Sequence, residues 1–255
     1  MSKYANPEYW EDRYRSNDTT FDWFVTYDNL QTILRPLLQP AEQIRVLVVG
    51  CGNSRLSANL YEHLNIKKIT NVDVSPTVIS QMQRRYSEMN EMQWVCADLL
   101  TTPAEKLMLE LCPHDYLYDF IVDKGLVDGI LGGANSFHNL YTFNKNMSRL
   151  LKRGGRFVVV SYGSPETRMD HFRRKKLNFD VEHKLLEKPM LSSSTASPTG
   201  HYHVYIMVKV GAKQGGGAGG GGGGGGAGAA DGGGVESEED DDFYDRFMTQ
   251  NSAAN

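Results

Sequence analysis

The run Val46-Leu47-Val48-Val49 followed at once by Gly50-Cys51-Gly52 constrains this chain more than any other feature. Four apolar residues without polar alternation suit a strand covered on both faces, and a strand of that kind belongs to a parallel sheet layered between helices. Glycine lets the backbone turn tightly out of the strand and approach a ligand closely. Further short apolar runs follow at Ile69 to Val72, Met92 to Val95, Phe120 to Val122 and Phe157 to Val160, alternating with helical patterns. That alternation is the mark of βαβ units. Phe179 to Glu182 and Tyr202 to Val208 instead alternate polar and apolar residues, and the Ser/Thr/Pro-rich stretch Ser192 to Gly200 joins them. They read as an antiparallel hairpin added to the sheet. The fold class is therefore α/β: a doubly wound, mostly parallel, seven-stranded sheet with a C-terminal antiparallel hairpin.

Helices fill the intervals. Asn6-Pro7 suits a cap and first turn, and the helix it opens sets Trp10 and Tyr14 on one face at a spacing of i, i+4. A second helix is expected over Asn29 to Leu38, stopped by Pro40. One helix starts at Ser54, with Leu56, Leu60 and Leu64 toward the sheet, and another at Pro76, with Val78, Ile79, Met82 and Tyr86 at helical spacing. A long helix is expected from Phe137 to Lys152, ended by Gly154-Gly155.

Composition divides the chain. Of its 26 glycines, 16 lie after Lys209. Residues 211–234 are almost wholly Gly and Ala and read as a flexible linker. Residues 235–255 read as an acidic disordered tail, in which Phe243, Tyr244, Phe247 and Met248 interleave with acids, so that 236–248 offers a segment for a partner. From Gly211 onward eight acids face Lys213 and Arg246, a net of −6 within a whole-chain charge of −4, which leaves about +2 on residues 1–210. So weak a positive balance gives nucleic-acid binding no support. No run approaches the ~18 apolar residues that span a bilayer, and the first residues are polar. Three cysteines without a CxxC point away from disulfides and zinc, toward a reducing, cytoplasmic setting.

The chemistry gathers at strand ends. Gly50 and Gly52 close the first strand, Asp73 closes the second 23 residues after Gly50, and Asp98 follows the third after another 25. An acid at the end of the second strand is placed to accept hydrogen bonds from ribose hydroxyls. Asp98 is placed to accept from an adenine amine. Ligands of such sheets lie at the carboxyl ends of the strands. A dinucleotide would call for a third glycine where Arg55 stands. Either acid alone could simply end a strand or cap a helix; three features in register point to a nucleotide-like ligand.

The strand-one run, Asn71-Val72-Asp73-Val74-Ser75, Cys96-Ala97-Asp98 and the terminal hairpin resemble the Rossmann-like class I methyltransferases, which use S-adenosyl-L-methionine. Tyr9-Trp10-Glu11-Asp12-Arg13-Tyr14, Phe21-Asp22-Trp23-Phe24, Gly50 to Ser57 and Asp123-Lys124-Gly125 resemble more closely the eukaryotic lysine methyltransferases of translation elongation factor 1-alpha. The branch is that containing methyltransferase-like protein 13 and elongation factor 1-alpha lysine methyltransferase 4. The likeness covers about residues 4–210, the expected catalytic domain being 1–210. It implies a cofactor-covering helical segment at 1–40 and cofactor contacts at Trp10, Tyr14, Trp23, Gly50, Asp73, Val74, Asp98, Leu99 and Lys124. Aromatic faces suit a sulfonium cation, and Val74 and Leu99 would sandwich the adenine. It also implies elongation factor 1-alpha as the protein partner. Beyond Asp-Lys-Gly the family pattern is Thr-hydrophobic-Asp-Ala, whereas Leu126-Val127-Asp128-Gly129 stands here, with Gly132-Gly133 beyond.

Methyl transfer to lysine requires a neutral amine, whose ordinary pKa is about 10.4. Asp123, with Asp128 beside it, is the expected acceptor-positioning carboxylate. No metal is called for. Of His201 and His203, one could reach the acceptor channel, although a strand histidine facing solvent or core is the plainer expectation. Two other functions fit the same fold: a small-molecule or protein N-terminal methyltransferase, and a non-catalytic scaffold acting through its acidic tail.

Overall fold

In the computed structural model, residues 2–113, 116–189 and 200–211 are described. The expected linker and tail, and most of the Ser192 to Gly200 connection, lie outside them.

Seven strands form one sheet: β1 Val46–Val49, β2 Ile69–Asp73, β3 Gln93–Cys96, β4 Tyr118–Lys124, β5 Leu151–Ser161, β6 Phe179–Glu187 and β7 His201–Lys209. Their order is β3-β2-β1-β4-β5-β7-β6. The first five strands run parallel, and β7 runs antiparallel to both β5 and β6. The hairpin is therefore present, with the last strand of the described residues inserted between β5 and β6.

The helices are α1 Pro7–Ser16, α2 Tyr27–Leu37, α3 Leu56–His63, α4 Pro76–Arg85, α5 Ala104–Leu111, α6 Leu126–Leu131, α7 Ser136–Leu150 and α8 Pro165–Phe172. Local chemistry starts several of them. Asn6 accepts from the Glu8 amide at 3.0 Å, and Ser75 from the Val78 amide at 3.2 Å, each just before a proline at the first helical position.

Every residue of β1 is buried, and its side chains divide between two cores. Val46 and Val48 join Leu30 and Leu34 of α2, Leu56 and Leu60 of α3 and Val78 and Met82 of α4. Leu47 and Val49 join Leu107 and Leu111 of α5 and Leu140, Phe143 and Met147 of α7. Burying each such side chain is worth about 1.5–3 kcal/mol, which is why a run with no polar member is stable here and nowhere on a surface. The parallel register sets Val49 beside Val72 and Asp123, and Asp73 beside Cys96, so the carboxyl ends of four strands meet along one edge.

One expectation changes. α7 stops at Leu150, and β5 begins at the next residue, so Gly154-Gly155 lie inside a strand. Gly154, at φ +78, serves an irregular start to that strand, where the β4–β5 register shifts between Tyr118 and Phe120. The glycine-rich segment after Lys124 is the helix α6.

Candidate active site

The turn after β1 is strained in a way only glycine accommodates: Gly50 and Gly52 have φ +56 and +50. A Cβ on Gly52 would stand 2.7 Å from the Tyr14 hydroxyl oxygen. Asp73 ties this turn to the next one, its Oδ2 accepting from the Gly52 amide at 2.9 Å and its Oδ1 from the Ser75 amide at 3.0 Å. Burial pushes the Asp73 carboxyl up, and the amides of Ser75, Gly52 and Val74 oppose the rise. A carboxylate has about four acceptor positions, so these amides leave Asp73 further acceptor capacity. Asp98, beyond β3, accepts from the amides of Leu100 at 2.8 Å and Thr101 at 3.3 Å and from the Thr101 hydroxyl at 2.7 Å. Between these acids lie Val74 and the buried Leu99.

The opposite wall comes from the N-terminal segment. Trp10 and Tyr14 share a face of α1, with ring centroids 6.0 Å apart and planes 25° apart, and Trp23 meets Trp10 edge-on at 5.8 Å. Glu11, on the same helix, accepts from the hydroxyls of Ser75 and Thr77 and the Thr77 amide, which joins α1 to the start of α4. Those bonds hold the Glu11 carboxyl below its ordinary range.

A strap from residue 17 to 26 then crosses to β4. At the end of β4, Lys124 Nζ donates to the Trp23 carbonyl at 2.9 Å and lies 3.2 Å from the Asp22 carboxylate, which also accepts from the Ser54 hydroxyl. The Lys124 side chain is 6% exposed. Burial pushes its ammonium down, and Asp22 resists the fall. Gly125, at φ +98, leaves room for Trp23, whose Cδ1 lies 2.5 Å from where a Cβ would be. Lys124 thus ties Trp23 and Asp22 to the end of β4.

These walls enclose a cavity of about 520 Å³. Trp10, Tyr14, Trp23, Gly50, Asp73, Val74, Asp98, Leu99 and Lys124 all line it. Asp123 does not. It is fully buried, and its two oxygens accept from the amides of Leu126 at 2.7 Å and Val127 at 2.8 Å, capping α6. A strand-end acid followed by a helix has donors nearer than any acceptor substrate. Of the two acids at and after the end of β4, the one that lines the cavity is Asp128, five residues on. His203 shares a ring-nitrogen contact of 2.9 Å with His183 on the neighbouring strand, and neither lines the cavity. The sequence motifs also gave no role to Asp22, Glu11 or Arg168; Asp22 and Glu11 stood inside quoted motifs, and Arg168 did not.

A cavity of this volume is within the ordinary range for small-molecule sites, about 300–1,000 Å³. Aromatic walls and two carboxylates with spare acceptor positions suit a ligand that carries hydroxyl and amine donors and a positive charge. S-adenosylmethionine has all three.

A family model described as "Methyltransferase domain" matches residues 40–202. The chain belongs to that family. This methyltransferase uses S-adenosylmethionine as its cofactor. It is 29% identical over 219 residues to "EEF1A lysine methyltransferase 4" of Mus musculus, an alignment covering 81% of this chain and 76% of the relative. It is 32% identical over 216 residues to "eEF1A lysine and N-terminal methyltransferase" of Xenopus laevis, covering 82% of this chain and 29% of that protein. A solved S-adenosylmethionine-dependent methyltransferase from Clostridium acetobutylicum shares the fold, with a TM-score of 0.54 at 13% identity over 73% of this chain and 93% of that one.

Proposed function

We propose that this methyltransferase transfers a methyl group to a lysine side chain of translation elongation factor 1-alpha. The observation that carries the proposal is a cavity with two different ends. Asp73 and Asp98, at the end of β2 and just after β3 on one side of β1, supply open acceptors, while Asp128 and the 64% exposed Tyr162 follow β4 and β5 on the other side, where a protein side chain can enter. The two relatives described above bear names that state the same substrate.

The cofactor supplies a methyl group already activated by an adjacent positive charge. What the chain adds is alignment and the exclusion of water, so no covalent enzyme intermediate is needed. Asp73 would accept from the ribose hydroxyls and Asp98 from the adenine amine, with Val74 and Leu99 on the faces of the base. Gly50 lets the backbone come close. Trp10, Tyr14 and Trp23 close the site from above, and Lys124 holds Trp23 in place. On this reading residues 1–210 carry the reaction in the cytoplasm, and segment 236–248 is left for a separate protein contact.

The test is incubation of the chain with labelled cofactor and recombinant elongation factor 1-alpha, with the modified residue located by mass spectrometry. Label on a lysine Nζ is the expected result. Label confined to the α-amine or to small molecules overturns the proposal.

A further inference from the structure

Asp128 is held from three directions. Its Oδ1 receives the Ser161 hydroxyl at 2.7 Å and Arg168 Nη2 at 2.8 Å, and its Oδ2 receives the Tyr162 amide at 3.1 Å. Arg168 Nε also donates to the Ser161 hydroxyl at 3.2 Å. Each side chain of the ion pair is 16% exposed. A Cβ on Gly163 would stand 2.2 Å from the Arg168 Cζ, so glycine there makes room for the guanidinium. A carboxylate oxygen has two acceptor directions; Oδ1 has both filled and Oδ2 has one open.

A bare carboxylate is a poor partner for a lysine acceptor. It favours the ammonium form, which has no lone pair with which to attack. A carboxylate joined to a guanidinium keeps its acceptor capacity and loses most of its field.

We propose that the Asp128–Arg168 pair holds the acceptor amine: Asp128 Oδ2 takes one N–H of the incoming lysine and directs the nitrogen's lone pair into the cavity, while Arg168 cancels the carboxylate charge so that the amine stays neutral. This rests on the lysine-acceptor reading above. In the transfer, an N–C bond forms as the C–S bond breaks, the electron pair leaves on sulfur, and the methylated amine's extra proton goes to water.

The other ionisable groups around the pair are Glu166 and His171 on α8, Asp123 on β4, and His203 and Tyr205 on β7; burial pushes His171 down to about 4. The Ser164 side chain holds the Glu166 carboxyl below its ordinary range. Burial pushes Asp123 up to about 7, His203 below its ordinary value and Tyr205 above its own. None of these five changes charge between about pH 8 and pH 9.5, so a rate limb there reports the acceptor amine.

The experiment measures kcat against pH on elongation factor 1-alpha for the full chain and for Arg168→Met, Arg168→Lys and Asp128→Asn. Melting temperature and calorimetric affinity for S-adenosylhomocysteine are measured alongside. Arg168→Met should move the limb up by about one unit, a loss of about tenfold near neutral pH that recovers as pH rises, with S-adenosylhomocysteine affinity unchanged. Arg168→Lys should restore most of the wild-type profile. Asp128→Asn leaves the guanidinium charge unopposed and should move the limb down while lowering the plateau. Loss by one factor at every pH, or shifts of the same sign in both charge-altering variants, overturns the inference alone. Should Arg168→Met fail to fold, the downward shift of Asp128→Asn decides. Absence of lysine methylation by the wild-type chain overturns the lysine reading, and this inference with it.

Discussion

Asp22→Ala tests the strap that closes the site. The substitution removes the carboxylate 3.2 Å from Lys124 Nζ and leaves an ammonium whose side chain is 6% exposed. Breaking a buried pair from one side costs about 3–5 kcal/mol. The Trp23 carbonyl still accepts from Nζ at 2.9 Å, which favours the lower end. Lys124 can recover water only if the strap lifts, so about 3 kcal/mol is set against the strap's remaining holds: Arg85 Nη2 to the Asp18 carbonyl, Asn53 Nδ2 to the Thr19 carbonyl, the Phe21 amide to the Asn53 carbonyl at 3.3 Å, and the contacts of Trp23 with its neighbouring rings. If it lifts, the aromatic wall goes with it. A cost of 3 kcal/mol is then on the order of a hundredfold in affinity. Calorimetry with S-adenosylhomocysteine should show that loss, and hydrogen exchange should show faster amides within 17–26. Lys124→Met, which removes the charge and keeps an apolar stem, should do less harm, and the double variant should bind better than Asp22→Ala alone. Unchanged affinity and exchange in Asp22→Ala would refute this account. So would a Lys124→Met variant as damaged as Asp22→Ala, since that result would put Lys124 in direct contact with the ligand.

Asp73→Ala should remove cofactor binding, by at least a hundredfold in calorimetry, because it takes away both the open acceptor and the link between two turns; near-wild-type affinity would dismiss its role. Asp123→Asn should change the pH dependence of stability. The Asp123 carboxyl lies at about 7 against an ordinary value of about 3.9, so the folded state binds this proton more tightly than the unfolded state does. Its stabilising contribution is complete below about pH 4 and is lost as pH rises through about 7, a change on the order of 4 kcal/mol. Denaturant titrations should therefore show wild type losing ground to Asp123→Asn over that interval, and parallel curves would contradict the burial argument. Truncation after Gly211 should leave melting temperature and S-adenosylhomocysteine affinity unchanged, whereas a fall of several degrees would mean that later residues help to hold the domain.

The central sheet was legible because its signal is solvent exclusion. Val46 to Val49 and Phe157 to Val160 are apolar on every side and have few other stable uses. What escaped depends on contacts between distant residues. α6 was hidden by Gly129 and Gly132-Gly133, and it forms because Asp123 supplies its first amides with acceptors. α8 has only Phe172 buried, so its apolar periodicity is faint. Arg168 consequently carried no signal, although it pairs with Asp128 across 40 residues. Motif reading named nine residues that line the cavity and one, Asp123, that does not, since Asp123 and Asp128 differ in which partners the folded chain brings to them.

The position of β7 has a consequence for how the chain is assembled. Residues 46–161 can pair five parallel strands in the order in which the βα units are made. β6, which comes next, pairs only with β7 among the described residues. β5 likewise presents an open edge on that side until residues 201–209 arrive. An unpaired strand edge is a template for association between chains. A chain interrupted before His201 would hold most of the cavity wall and still be prone to aggregate. The hairpin thus acts as a seal on a sheet whose ligand-facing half lies elsewhere, and substitutions at β7 should reduce the yield of soluble protein before they alter the chemistry.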